Sequence, residues 1–199
     1  MNAPRPTPDA VPHAKLAAVD RFARLGRRGC TIWLTGIPAS GKTTIALALE
    51  DALLTTGTPC IVLDGDTLRH GLNAGLDFSD AGRAEAVRRA GEAALLIAES
   101  GSTAVVSMVS PAAADRALVR SRHENASLAF HEVFVDAPVQ VAESRDPKGH
   151  YARARSGDLP SFTGVSAPYE APKAPALHLR TNHASVRECV DAIRALMKP

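Results

Sequence analysis

The octapeptide GIPASGKT, residues 36–43, sets the strongest limit on how this chain can fold. It directly follows an apolar run, CTIWLT at 30–35, and directly precedes a helical pattern at about 42–56. Its glycines let the backbone curl so that successive N–H groups point inward, and the helix N-terminus adds its partial positive charge. A strand, such a loop and a helix in that order form a cradle for phosphate oxygens. Gly36, Ile37, Pro38, Ala39, Ser40, Gly41, Lys42, Thr43 and Thr44 are therefore the expected triphosphate-binding residues. Lys42 is expected to reach the β and γ phosphates, and the Thr43 hydroxyl to ligate Mg2+. The expected ligand is a nucleoside triphosphate with magnesium.

That loop belongs in a parallel sheet, and the rest of the chain supplies one. After CTIWLT come CIVLD (60–64), TAVVSMV (103–109), EVFVD (132–136) and ALHL (176–179). Each run is short, rich in β-branched residues and apolar without clean alternation, as strands covered on both faces require. Helical patterns separate them, at about 42–56, 82–100, 113–125, 138–145 and 184–197. The second carries Val87, Ala90, Gly91, Ala94, Leu95 and Ala98 along one stripe. Strand and helix in alternation give an α/β fold with helices on both faces and right-handed crossovers.

Two segments stand outside the alternation. Residues 1 to about 14 hold Pro4, Pro6, Pro8 and Pro12, and read as an extended tail. A short amphipathic stretch, Lys15 to Leu25, follows, so the expected division is a tail with short helix at 1–25 and a P-loop domain at 26–199. Residues 146–175 form a basic, proline- and glycine-rich stretch, which at that length reads as a lid over an anionic ligand.

Composition excludes several alternatives. Lys plus Arg total 23 against 21 for Asp plus Glu, a net charge of +2, which argues against a nucleic-acid coat or a polybasic membrane binder. The apolar runs all fall short of a bilayer span, and the N-terminus has no signal-type apolar core, so a cytoplasmic protein is expected. Cys30, Cys60 and Cys189 are widely spaced, which suits packed thiols in a reducing compartment.

Candidate chemistry gathers at strand ends. Asp64 and Asp66, in LDGD at 63–66, lie where ligands of open α/β sheets bind. One acid can hold the metal and the other can accept a proton from an attacking hydroxyl. Arg69, Arg83, Arg88 and Arg89 cluster within the next residues, and guanidinium groups suit phosphate or sulfate. One of the Arg88/Arg89 pair is expected to be a plain surface charge. Phe78 and Phe162 lie in loops, where an aromatic either stacks on a base or anchors its own loop.

Together these stretches resemble the adenylylsulfate kinase family, over roughly residues 26–181. GCTIWLTG, LDGDTLRHGLN (63–73), FS (78–79), SP (110–111), DR (115–116), EVFVDAP (132–138), RDPKG (145–149) and FTGVSAPYEAP (162–172) carry the resemblance. It implies phosphoryl transfer from MgATP to the ribose 3′-hydroxyl of adenylylsulfate, by an enzyme that is commonly a dimer. In it Asp66 stands at the family's base, Asp64 lies near the metal, and Lys42 serves the phosphates. Arg69 and Arg83 match positions holding the acceptor's phosphosulfate, and Phe78 and Phe162 the pair sandwiching its adenine. Ser110 matches a serine described as a phosphoserine intermediate; a Ser before Pro at a strand–helix junction is equally a helix cap. Lys148, Arg153 and Arg155 match basic residues of the lid.

The chain also departs from the family. Gly82 and Ala86 stand where the family has Asp and an acceptor-contacting Asn. Met108 and Ala112 replace a Phe and an aromatic, and His150 and Ala152 a Leu and a Lys. All these changes fall on the acceptor side or the lid, so a same-fold kinase with another hydroxyl acceptor is the competing expectation. A GTPase switch would need a guanine-reading NKxD segment, which the sequence lacks, and a dead binding subunit would be expected to have lost Lys42, Thr43 or Asp66.

Overall fold

In a computed structural model, residues 16–197 can be described, and the proline-rich segment read as a tail lies outside them. Five strands, β1 (Cys30–Thr35), β2 (Cys60–Asp64), β3 (Thr103–Ser107), β4 (Ala129–Asp136) and β5 (Leu177–Arg180), form one parallel sheet in the order β2-β3-β1-β4-β5. The helices are α1 (Ala18–Leu25), α2 (Lys42–Thr55), α3 (Gly65–Leu68), α4 (Asp80–Glu99), α5 (Ala113–Asn125), α6 (Val139–Arg145), α7 (His150–Arg155) and α8 (Val186–Leu196).

The central strand explains the absence of polar alternation. On one face of β1, Ile32 and Leu34 pack with Val105, Val133 and Val135 beneath α2 and α8. On the other, Trp33 meets Val87, Ala90, Ala94 and Val119 of α4 and α5. Ile32 and Leu34 are wholly buried, each contributing about 1.5–3 kcal/mol. Gly91 lets α4 and α5 approach, since a Cβ there would lie 2.7 Å from Val119 Cγ2.

β2 is an outer strand, and Glu50 of α2 reaches over its border: Val62 N donates to Glu50 Oε1 at 3.0 Å. Helix α4 starts at Asp80, two residues before the expected 82, because Ser79 Oγ caps it by accepting from Gly82 N at 3.1 Å. β4 starts at Ala129, three residues before the expected run.

Two structural details bear on the expected organisation. The boundary drawn after residue 25 sets α1 apart, yet Phe22 packs on Leu95, Ala98 and Leu128, and Arg21 Nη1 donates to Glu99 O at 2.7 Å. Helix α1 is thus part of the domain's packing. The lid is not irregular throughout, because α7 occupies its first part. Its start is set by Asp146, which accepts from Lys148 N at 3.2 Å and Tyr151 N at 2.7 Å, and by Gly149 at φ 64°. Only Tyr151 and Ala154 of its six residues are buried, too short a stripe to register as helical periodicity.

Candidate active site

The phosphate-type loop leaves β1 at Gly36, where a Cβ would fall 2.2 Å from Val135 O; only glycine fits against β4. Gly41 precedes α2 at φ 103°. The Lys42 ammonium lies inside the curl, donating to Gly36 O at 2.9 Å, Ile37 O at 2.7 Å and Ser40 Oγ at 3.5 Å. Burial pushes its pKa down to about 7, against the opposing pull of Asp64 and Asp66.

The first turn of α2 meets the ends of β2 and β3. Thr43 Oγ1 donates to Asp64 Oδ2 at 2.8 Å and lies 3.2 Å from Ser107 Oγ. Parallel pairing puts Ser107 directly beside Asp64 and Leu34, so one hydroxyl of β3 completes the group. Sequence reasoning passed over Ser107; its signal was a polar residue at the carboxyl end of an apolar strand. Among the described residues no cluster of three His, Cys, Asp or Glu side chains occurs. A donor set of two hydroxyls and one carboxylate fits a hard cation that keeps most of its water.

Asp64 and Asp66 face different partners. Asp64 Oδ1 accepts from Asp66 N at 3.1 Å and Thr67 N at 3.2 Å, starting the short α3. Asp66 is outward and mostly exposed, and its Oδ2 accepts from Lys148 Nζ of the lid. That hydrogen bond holds the Lys148 pKa above its ordinary value.

Among the residues expected on the acceptor side, Arg83 joins Phe78 to the lid. Its Nε donates to Phe78 O at 2.9 Å, its Nη1 to Thr163 Oγ1 at 2.6 Å, and its Nη2 to Ser161 O. Arg69 lies 3.7 Å over the exposed Phe78 ring and donates to Leu76 O at 3.1 Å. Phe162, by contrast, is 8% exposed. It packs with Ile37 and Ala142 and stands edge-on to Tyr151, ring centroids 5.0 Å apart. Tyr151 Oη donates to Pro38 O at 3.0 Å, so the lid rests on the phosphate-type loop. Arg88 and Arg89 both bind Glu85, whose carboxyl they hold down to about 2; they brace α4. Arg155 likewise binds Glu143.

Ser110 is enclosed, at 2% exposure. Its Oγ accepts from Trp33 Nε1 at 3.0 Å and donates to Thr35 Oγ1 at 3.0 Å, with its backbone at φ 41°. It does not cap α5, whose N-cap is Ala112. One departure from the family acquires a local reason: a Cβ at Gly82 would meet Asp77 Oδ1 at 2.3 Å and Asp77 O at 2.6 Å. Asp77 itself holds the turn before α4 through Ser79 Oγ at 2.6 Å.

Another bridge escaped the sequence reading. Arg145 Nη1 and Nη2 donate to Thr181 Oγ1 at 3.0 Å and Thr181 O at 2.8 Å, while Thr181 Oγ1 donates to Ser40 O at 2.9 Å. It joins α6, the loop after β5 and the phosphate-type loop. Its one signal was the Arg opening RDPKG. Between Ile37, Phe134, Asp136 and lid residues 164–169 lies a cavity of about 620 Å³.

A Lys held in a glycine loop, a Thr–Asp pair at its helix and a basic lid opposite define a P-loop phosphotransferase. Residues 28–180 match the family described as adenylylsulphate kinase. The chain is 51% identical to the adenylyl-sulfate kinase of Saccharomyces cerevisiae, covering 91% of this chain and 90% of that one. It is 43% identical to that of Marinobacter nauticus, over 92% of each chain. The Mycobacterium tuberculosis APS kinase CysC, solved with AMPPNP and APS, superposes with a TM-score of 0.84 at 46% identity, covering 87% of this chain and 99% of that one. The chain belongs to the adenylylsulfate kinase family.

Proposed function

We propose that the chain transfers the γ-phosphoryl group of ATP to the 3′-hydroxyl of adenylylsulfate, giving 3′-phosphoadenylylsulfate. The observation that carries this reading is the Arg83 bridge, which brings Phe78 of the α4 side and residues 161–163 of the lid together. A nucleotide acceptor held there would find Asp66 and the phosphate-type loop along the same sheet edge.

In this reading the unit at work is the domain drawn at 26–199 with its lid at 146–175, and α1 packs onto it. Residues 36–44 hold the triphosphate, and Lys42 turns from loop carbonyls toward the β and γ oxygens. Arg69 and Arg83 hold the phosphosulfate, Phe78 covers the adenine, and Phe162 shapes the lid wall behind it. Asp66 accepts the 3′-hydroxyl proton as that oxygen attacks the γ-phosphorus in line, and the bond from phosphorus to the β,γ-bridging oxygen breaks so that ADP leaves. Lys148 then exchanges its bond to Asp66 for a phosphoryl oxygen, and the basic lid excludes water. Thr43, Asp64 and Ser107 would hold Mg2+, which neutralises charge gathering on the phosphates.

Free Cys30, Cys60 and Cys189 support a reducing, cytoplasmic setting. No described helix is long and apolar enough to cross a membrane. A homodimer is the expected assembly, to be read by light scattering.

The deciding experiment is an ADP-release assay with MgATP, comparing adenylylsulfate with other nucleotides and small alcohols. Saturable turnover with a 3′-phosphorylated product supports the proposal. ATP binding without adenylylsulfate turnover would favour the second reading, a different hydroxyl acceptor, for which the buried Ala86 in place of an acceptor-contacting Asn speaks.

A further inference from the structure

Arg116 of α5 carries a guanidinium that is 2% exposed, so it does not meet a substrate itself. Its hydrogen bonds end on three separate segments. Nε donates to Glu132 Oε1 of β4 at 2.6 Å. Nη1 donates to Ser110 O at 2.6 Å and Pro111 O at 3.2 Å, in the loop between β3 and α5. Nη2 donates to Glu170 O at 2.6 Å, at the far end of the lid.

The same junction is bolted from the lid side. Glu170 N donates to Pro111 O at 3.0 Å, and Glu170 Oε2 accepts from Ala113 N at 2.7 Å. The neighbouring Tyr169 Oη lies 3.0 Å from Thr35 Oγ1 of β1. Upstream, the lid closes on itself: the amides of Val165, Ser166 and Ala167 all donate to Phe162 O, and Phe162 N donates to Ser166 Oγ at 2.9 Å. Only Pro168 separates that closed turn from Tyr169, and its ring restricts the backbone. Position at Glu170 is therefore passed to Phe162 and to Thr163, which Arg83 holds together with Ser161 O.

We infer that Arg116 is a positioning residue for the acceptor: it fixes the C-terminal root of the lid to the β3–α5 loop, and through that root the placement of Phe162 and Thr163. Three carbonyls and one carboxylate around one planar group match the fork of a guanidinium and not the point charge of an ammonium. The inference rests on the adenylylsulfate reading, whose acceptor side it deepens. The ATP side has holds of its own that do not pass through Arg116, the curl of the phosphate-type loop around Lys42 and the Arg145–Thr181 bridge.

The test is Arg116→Lys in the full chain, which keeps the charge beside Glu132 and loses the fork. The KM for adenylylsulfate is expected to rise on the order of tenfold, with kcat and the KM for ATP changed by less than about threefold. The Glu170 amide is expected to lose protection in hydrogen exchange. A merely structural role would lower thermal stability and leave the two KM values in their wild-type ratio, and that result overturns the inference. Should Arg116→Lys not fold, Arg116→Met with Glu132→Gln removes both buried charges together. Glu170→Ala removes only the side-chain bond to Ala113 N and keeps the carbonyl on Arg116, so its acceptor KM is expected to rise less than that of Arg116→Lys; an equal or larger rise would place the hold on the Glu170 side chain and overturn the inference. A wild-type chain with no adenylylsulfate turnover defeats the functional reading; unchanged Glu170 protection in folded Arg116→Lys defeats this one alone.

Discussion

Lys148 Nζ donates to Asp66 Oδ2, so the lid and the first turn of α3 meet through one ion pair. Both side chains are more than half exposed, and a solvated pair of this kind contributes about 0–1 kcal/mol. Its significance is positional: the group read as the proton acceptor is in contact with the segment read as the lid. Asp66→Asn is expected to abolish turnover while leaving MgATP binding and thermal stability near wild type, measured by steady-state kinetics, calorimetry and melting. Near-full kcat would remove Asp66 from the chemistry.

Lys42 supplies a pH dependence with a definite sign. Its pKa falls from 10.5 to about 7 through burial, so the folded chain binds fewer protons than the unfolded chain between those values. Stability without nucleotide should therefore decline as pH falls from 10.5 toward 7. Triphosphate charge favours the ammonium, so ATP binding near pH 8 should draw a proton onto Lys42. Titration calorimetry in buffers of different ionisation enthalpy should show uptake of most of one proton, absent in Lys42→Met. Proton release would contradict this account of the buried ammonium.

Ser110 permits a sharp separation of roles. A covalent intermediate needs an accessible oxygen, whereas this hydroxyl is spent between Trp33 and Thr35. Ser110→Ala should keep phosphoryl transfer within about tenfold while costing about 1–3 kcal/mol of stability from the orphaned Trp33 N–H. Complete loss of turnover in a folded variant would restore the covalent role.

His123 is buried as a neutral ring, with Nδ1 at 2.9 Å from Val119 O and Nε2 at 2.9 Å from Thr31 Oγ1. Desolvation lowers its pKa from 6.5, so the unfolded chain takes up a proton first as the medium acidifies. Stability should thus be fully present above 6.5 and fall as pH drops toward the native value. His123→Gln should be less stable near neutrality yet lose less between about pH 7.5 and about pH 5.5. Melting curves decide it; equal slopes would assign the acid loss to other groups.

Covering both faces of the central strands makes β1 and β3 legible from local composition, since their apolar runs are buried almost throughout, whereas β2 and β5 are only partly covered. The glycine loop was equally plain, since its chemistry and its backbone are one local feature. What was not legible depends on chain segments far apart in sequence. Ser107 joins Thr43 and Asp64 only through strand register. Phe162, which the sequence leaves between stacking on a base and anchoring its loop, is enclosed by Tyr151 and Ile37 only once the lid is folded. The turn of α7 is set by one Asp and one Gly, too little for a periodic signal.

Glu50 on the amide of Val62 bears on how copies of this protein can meet. An outer strand with free donors invites a second chain to lie alongside it and extend the sheet without limit. A newcomer on β2 would have to evict a carboxylate already seated there and leave it without its partner. Association at this edge of the sheet would then proceed through side-chain surfaces of finite extent, which favours closed assemblies over ribbons.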